Sequence, residues 1–413
     1  MNMLEMSERD LGSIRLPSWG RVVRAAGPVL WLVVDPSGQP VEPIRRFLAD
    51  FVARGNAAGS VRSYCFVLCR WWRFLQAVDV RWDRATSAEV RDLVLWLLSA
   101  TKPRAAARTV SKSTAGQLNP VTGKQYLGDG YAPRTIRHSN AVLRAFYDFW
   151  IEAGEGPLVN PVVRQRSAGR RPHAHHDPMQ PFPPQGRLRY NPKVPKVRPR
   201  AMPDHRWVEL FRALRSNRDR AILALAISCA ARASEILGIC GADLDWGDQL
   251  VRVIRKGTGA PQWLPASSEA FVWIRLYLND IGGIGSDEPL WRTLRRPGGK
   301  SERPPLTYDA LRAVLRRANH ALGANWTMHD LRHTCALRMI RDDGLTLRDV
   351  QTILGHAFIT STQIYLVEDD DAVIRRVHQH LAQRDTGNRV RQPSPAVGYD
   401  AADLQILLGG AAQ

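Results

Sequence analysis

The chain has 413 residues, 44% of them apolar, which is enough for two or three domains with cores of their own. Lys+Arg 58 against Asp+Glu 39 leaves a net charge of +19, a field that suits a polyanion and points first to nucleic acid. No run of 18 apolar residues and no charged-then-apolar leader occurs, so a soluble, cytoplasmic protein that neither spans a membrane nor is exported is expected. The five cysteines (Cys65, Cys69, Cys229, Cys240, Cys335) sit mostly in apolar helical text and read as buried free thiols of a reducing compartment.

In chain order, residues 1–38 mix charge, Gly and Pro around one apolar patch, Val29 to Val34, and read as an arm or a short strand. Helical text follows over 39–160. A first helix from Val41 carries Phe47, Leu48 and Phe51. A second, with Ser60 as its cap, carries Tyr64, Val67, Leu68, Trp71, Trp72 and Leu75. A third runs from Ser87 to Ser99, and a fourth opens at Ala132-Pro133 and carries Ile136, Leu143, Phe146 and Trp150. Between the last two, Thr101 to Tyr131 has no apolar period and reads as an exposed loop. Its Lys102, Arg104, Arg108, Lys112 and Lys124, with Arg134, Arg137, His138 and Arg144 of the fourth helix, would meet phosphates, although each singly reads as a solvated charge.

Residues 161–206 hold ten prolines, eleven Lys/Arg and two acids, a composition that sustains neither helix nor sheet and predicts an extended basic linker. Within it His173, His175 and His176 lack a partner cluster for a metal and read as a solvated run. The remaining text to residue 385 predicts an α-rich domain. An apolar helix leads into Arg232, and a hairpin runs over Gln249–Arg255 and Gln262–Pro265 with Lys256 at its tip. Helices are predicted at Glu269 to Asn279, at Tyr308 to Leu322 and through His329 and Arg332, which lie three apart on one helical strip. Thr346 and Asp349 form a capping box for a helix ending at Leu354, closed by Gly355. Tyr365 is expected on a further helix opened by Thr360 or Ser361, and one more helix to run to about Gln383. Residues 386–413 are polar with two prolines, then end in Asp400 and Asp403 ahead of Leu404, Ile406, Leu407 and Leu408. That ending reads as a short helix in need of a docking surface.

The residues of HDLRHTCA (329–336), LGH (354–356) and STQIY (361–365) resemble the tyrosine recombinase (phage integrase) family, whose signature is H-x-x-R, L-G-H and a nucleophilic tyrosine. Arg232 with Glu235 in ARASE matches the family's R-x-x-E, and Lys256 matches the lysine of its hairpin. The resemblance implies a mainly α fold: a small helical (SAM-like) core-binding domain, then an α-rich catalytic domain with a small antiparallel β-sheet, together a C-shaped clamp on DNA. It implies site-specific strand exchange of integrase or excisionase type through a covalent 3′-phosphotyrosyl intermediate, for a mobile element. Tyr365 would be the nucleophile, and Arg232 and Arg332 the forks on the non-bridging phosphate oxygens. Lys256 would be the general acid for the 5′-oxygen, His329 would assist proton transfer at the tyrosine, and His356 would hydrogen-bond the phosphate. Glu235 reads as a structural partner of its helix turn.

Neither cofactor nor metal is expected, since the arginines and the lysine take over a cation's role. The partners implied are double-stranded DNA at specific sites and further copies of the chain. One or two copies would bind a single site and four a synapsed pair, the tail docking in trans on a neighbouring copy, docking on its own catalytic domain or staying disordered, with an accessory protein as an addition and the nucleoid as the location. A type IB topoisomerase shares the catalytic set, and a DNA-binding accessory protein without activity is the reading from another class. The compact spacing from Arg232 to Tyr365 disfavours the former and the complete set disfavours the latter. The sequence departs from the family where Gly259-Ala260-Pro261-Gln262 stands in place of a second basic residue after the lysine, and in the length of the linker.

Overall fold

The computed structural model describes residues 9–103, 114–165, 187–195, 199–294, 303–366, Ile374 and 377–382, in two compact units that divide between Lys196 and Val197. Each is mainly helical with a small antiparallel sheet, the fold class read from the sequence.

The first unit holds α1 (Glu42–Ala53), α2 (Ala58–Ala77), α3 (Ser87–Ser99) and α4 (Pro133–Glu152). Proline in the first turn starts α1 and α4, where its missing N–H costs nothing. A Thr86–Glu89 capping box starts α3, and α2 begins behind Ala57, three residues before the expected Ser60 cap. The apolar faces meet in an aromatic core of Phe47, Trp71, Phe74, Phe146, Tyr147 and Trp150. Trp71 Nε1–H donates to Tyr147 Oη, which donates to the Trp82 carbonyl, both at 2.9 Å, whereas the buried Trp150 Nε1 has no hydrogen-bond partner among the described residues.

Two expectations sharpen here. Of the two readings of the Val29 to Val34 patch, arm or short strand, the strand holds: β2 (Trp31–Val34) pairs antiparallel with β1 (Arg21–Arg24), and the hairpin packs on α2. Four-residue strands carry too little pattern to be read alone; Val33 buried in the core and the Arg73 guanidinium on the carbonyls of Trp19 and Gly20 hold them. The linker text also folds at its start. Val162 is buried, Gln165 N–H donates to Arg187 O at 2.7 Å, and Asn140 of α4 holds the Tyr190 carbonyl at 3.1 Å. Residues 166–186, with the three histidines, lie outside the described residues, as do 104–113 of the loop and the tail from 383 onward.

The second unit is built around α6 (Asn217–Cys229), apolar on every side and therefore central. α8 (Ser268–Ile281) and α10 (Met328–Ile340) pack on it, with α5 (Asp204–Arg212), α9 (Tyr308–Leu322) and α11 (Leu347–Leu354) outside. A three-stranded sheet of β3 (Leu244–Asp245), β4 (Leu250–Ile254) and β5 (Pro261–Pro265) lies in that order, with Val251 opposite Leu264 and Val253 opposite Gln262. Its parity matters below: Val251, Val253 and Arg255 point inward, while Arg252, Ile254 and Lys256 are exposed.

Candidate active site

Arg232 owes its place to an abrupt turn. α6 ends at Ala230, which adopts the left-handed region (φ 53°), and Arg232 then caps α7 (Ala233–Leu237). The R-x-x-E spacing is a capping device: Glu235 accepts from the Arg232 main-chain N–H and from its Nη1, each at 2.8 Å. Burial pushes the Glu235 carboxyl up, but these bonds and one from the Lys256 main chain outweigh it and hold it below the ordinary carboxylate value. It is the ionised, structural partner that the sequence suggested.

Arg332 points from α10 into the interior, 3% exposed. Nη1 donates to the Ala230 carbonyl at 2.5 Å and Nη2 to that of Leu354 at 2.7 Å. Two orphan helix-end carbonyls thus orient the fork. Burial, with Arg232 nearby, lowers its pKa to about 10, so it stays charged at neutral pH. His356 follows Gly355, the left-handed cap of α11 (φ 59°). Its Nε2 lies 3.3 Å from Arg332 Nη2 and its Nδ1 3.0 Å from Thr362 Oγ1. A guanidinium only donates, so Nε2 accepts and Nδ1–H donates to Thr362. Burial, then Arg332 and Arg232, push its pKa down to about 4, so His356 is neutral in the working range.

Tyr365 is 3% exposed, among Ala230, Cys335, Ala336 and Leu354. It stands on a 3₁₀ turn (Gln363–Tyr365) rather than at the start of the expected α-helix. The chain from Phe358 closes i→i+3 bonds only, because the buried Thr362 is fixed by His356. The Tyr365 hydroxyl lies 2.8 Å from His333 Nδ1, and the His333 ring abuts that of His329 at 4.2 Å, edge to face. Burial raises the phenol above its ordinary value, partly offset by Arg332 and Arg232, so at neutral pH it keeps its proton, within hydrogen-bond reach of Nδ1.

A cleft of about 410 Å³ is lined by Arg232, His329, Arg332, His356 and Tyr365, together with His333, Thr360, Ser361 and Ile364. Five of the six residues singled out in the sequence therefore meet. Lys256 does not line this cleft. It sits on the exposed β4–β5 turn, tied to the site by its main-chain N–H, which donates to Glu235 Oε1 at 3.1 Å. His333, Thr362 and Arg255 were missed. For His333 the sign was present, since it stands four residues after His329 and so on the same strip. No group of three or more metal-ligating side chains occurs among the described residues, and none of their helices is long and apolar enough to cross a membrane.

The neutral His356 makes a test of this geometry. Between about pH 6.5 and 4 the unfolded chain binds a proton that the folded His356 refuses, so folding stability falls across that window as pH drops. His356→Gln, which can still bridge Arg332 and Thr362, is expected to lose less melting temperature between pH 7 and pH 4.5 than the parent. Equal losses would mean that His356 titrates normally.

The sequence pattern of the phage integrase family matches residues 202–371. A tyrosine recombinase XerC of Chromobacterium violaceum is 34% identical over 285 residues, 67% of this chain and 81% of that protein. Transposase A from transposon Tn554 of Staphylococcus aureus is 22% identical over 86% of this chain and 95% of its own length. Among solved structures, the Tn1549 transposon integrase with circular intermediate DNA aligns at a TM-score of 0.52 and 16% identity, covering 81% of this chain and 98% of that one. A lambda integrase dimer bound to a COC′ core site aligns at 0.51 and 15%, covering 78% and 96%. At such identities these likenesses speak for the fold.

Proposed function

The chain belongs to the tyrosine recombinase (phage integrase) family, enzymes that break and rejoin DNA, and we propose that it recombines specific sites of a mobile element through a phosphotyrosyl intermediate on Tyr365. The observation that carries the reading is the meeting of a phenol, two guanidinium groups and three imidazoles in one cleft. The Tyr365 oxygen attacks the phosphorus and the bond to the 5′-oxygen breaks. The phenolic proton passes to His333 Nδ1, assisted by the neighbouring His329, and Lys256 protonates the departing 5′-oxygen. Arg232 and Arg332 face the charge that grows on the non-bridging oxygens. Donors already fixed by protein bonds need no reorganisation as it grows, and each supplies about 10²–10³ in rate. The protein–DNA bond conserves the energy of the phosphodiester, so rejoining needs no cofactor.

The reading of a mobile element draws on the Tn554 transposase, which aligns over 95% of its length. Each protomer offers one Tyr365 and so cuts one strand. Exchange between two duplexes breaks four strands, which calls for four copies on a synapsed pair of sites, with one or two on a single site. The lambda integrase dimer on its core site is consistent with this.

The experiment is adduct capture. The chain, incubated with nicked duplexes from the DNA flanking its gene, is expected to form a denaturation-resistant protein–DNA species that peptide mapping assigns to Tyr365. The yield is expected to be unchanged in excess EDTA, because guanidinium and ammonium groups supply the positive charge. An adduct on another residue overturns the assignment, and loss on chelation with recovery by Mg²⁺ favours a metal-dependent nuclease.

A further inference from the structure

Arg255 adjoins Lys256 and is 5% exposed, an unusual setting for a guanidinium that touches no reacting group. Strand parity turns it inward behind Val251 and Val253, and its three nitrogens bind three elements. Nε–H donates to Gln262 Oε1 on β5 at 2.7 Å, Nη1–H to Glu235 Oε2 on α7 at 3.2 Å, and Nη2–H to the Ile353 carbonyl at the end of α11 at 2.5 Å. The adjacent Leu354 carbonyl takes Arg332, so two consecutive helix-end carbonyls receive one arginine each. Gly355 lies against the same side chain: a Cβ there would stand 2.8 Å from Arg255 Nε.

The main chain of Arg255 also closes the turn on which Lys256 stands. Its N–H donates to Ala260 O at 2.9 Å and its carbonyl accepts from Gly259 N–H at 2.8 Å. Glu235, meanwhile, takes the Lys256 N–H and Arg232 Nη1 on the same oxygen, Oε1. Beyond these tethers the turn is Gly257-Thr258-Gly259 and exposed, braced from within by the Ala260 N–H, which donates to Thr258 Oγ1 at 3.3 Å.

We propose that Arg255 is a positioning residue for leaving-group protonation, anchoring the hairpin to Glu235 and α11 so that Lys256 is delivered beside Arg232. The proposal rests on the reading of Lys256 as general acid. In the step concerned, the Tyr365 oxygen bonds to phosphorus, the bond to the 5′-oxygen breaks, and the electron pair left on that oxygen takes a proton from Lys256. A bridging sulfur at that position leaves as a stable thiolate and takes none.

The test is single-turnover cleavage of DNA carrying either 5′-oxygen or 5′-sulfur at the scissile phosphate, by the full chain. On oxygen DNA, Lys256→Ala is expected to lose about 10²–10⁴-fold, the worth of a general acid, and Arg255→Lys about 10²-fold, the worth of a misplaced group. Gln262→Ala, which removes the acceptor of Arg255 Nε–H and the bond from Gln262 Nε2 to the Thr352 carbonyl of α11, gives a smaller loss in the same direction and stands in if Arg255→Lys does not fold. On sulfur DNA all three are expected to cleave at the parent rate. Rescue of Lys256→Ala without rescue of the Arg255 and Gln262 variants overturns the proposal, because a general loss of structure is not repaired by a better leaving group. Rescue of none overturns the Lys256 reading and the proposal with it. Cleavage of oxygen DNA by Arg255→Lys at the parent rate overturns the proposal alone.

Discussion

Tyr365→Phe is expected to bind DNA as the parent does and to form no covalent adduct. The substitution removes one oxygen from a ring that keeps its contact with the His333 ring and its apolar surroundings, Cys335, Ala336 and Leu354 among them. What is lost inside the protein is the hydroxyl's bond to His333, worth about 0.5–1.5 kcal/mol net, and Phe recovers part of that by leaving no phenol to desolvate. Folding and binding therefore survive while the nucleophile is gone. Adduct yield on a nicked duplex separates the cases: a yield equal to the parent's would mean that another group attacks. His333→Ala, which keeps the phenol but removes the group its proton faces, is the companion measurement and is expected to slow adduct formation without abolishing it.

Much of this site was legible because its residues sit in local devices that sequence encodes. Thr346 and Asp349 form the capping box read from their spacing, with Asp349 accepting the Thr346 N–H and Oγ1–H at 2.8 and 2.6 Å. Gly355 closes α11 in the left-handed region, as a glycine after a capped amphipathic run should. The hairpin was readable from alternation flanking a Gly-rich turn. What escaped was set by tertiary contact. Of the β1–β2 hairpin only the Val29 to Val34 patch showed in the sequence; the pairing with Arg21–Arg24 comes with the burial of Val33 and the packing of both strands on α2. The 3₁₀ turn under Tyr365 follows from Thr362 being claimed by His356. Arg255 shows a different limit: the Val251, Val253 alternation extends to it and predicts an inward side chain. A charged side chain can follow that parity because the buried Glu235, the Ile353 carbonyl and Gln262 supply its partners, and none of these is local in sequence except Gln262.

Arg332→Ala is expected to lose cleavage by at least about 10²–10³-fold and, unlike Tyr365→Phe, to lose stability as well. The guanidinium lines the cleft on one side and holds the protein on the other, bonded to the carbonyls of Ala230 and Leu354. Removing it leaves two buried acceptors without their donor, at about 1–3 kcal/mol for each that water does not reach. It also frees the ends of α6 and α11, on which the chain turns toward Arg232 and His356. Arg332→Lys separates the two roles. An ammonium keeps the charge but lacks the fork, so it can hold one carbonyl or face the phosphate but not both. Its stability should lie between parent and alanine variant, while its cleavage should fall nearly as far as alanine's. The titration of His356 provides an independent reading. Burial is the larger cause of its low pKa and Arg332 the next, so Arg332→Ala should move His356 upward from about 4, towards but not up to the ordinary imidazole value, with Arg332→Lys moving it less. Proton NMR of the His356 ring measures that shift. An unchanged His356 in the alanine variant would show that the two side chains do not share one electrostatic site, and the cleft would then need another account of how it holds the phosphate.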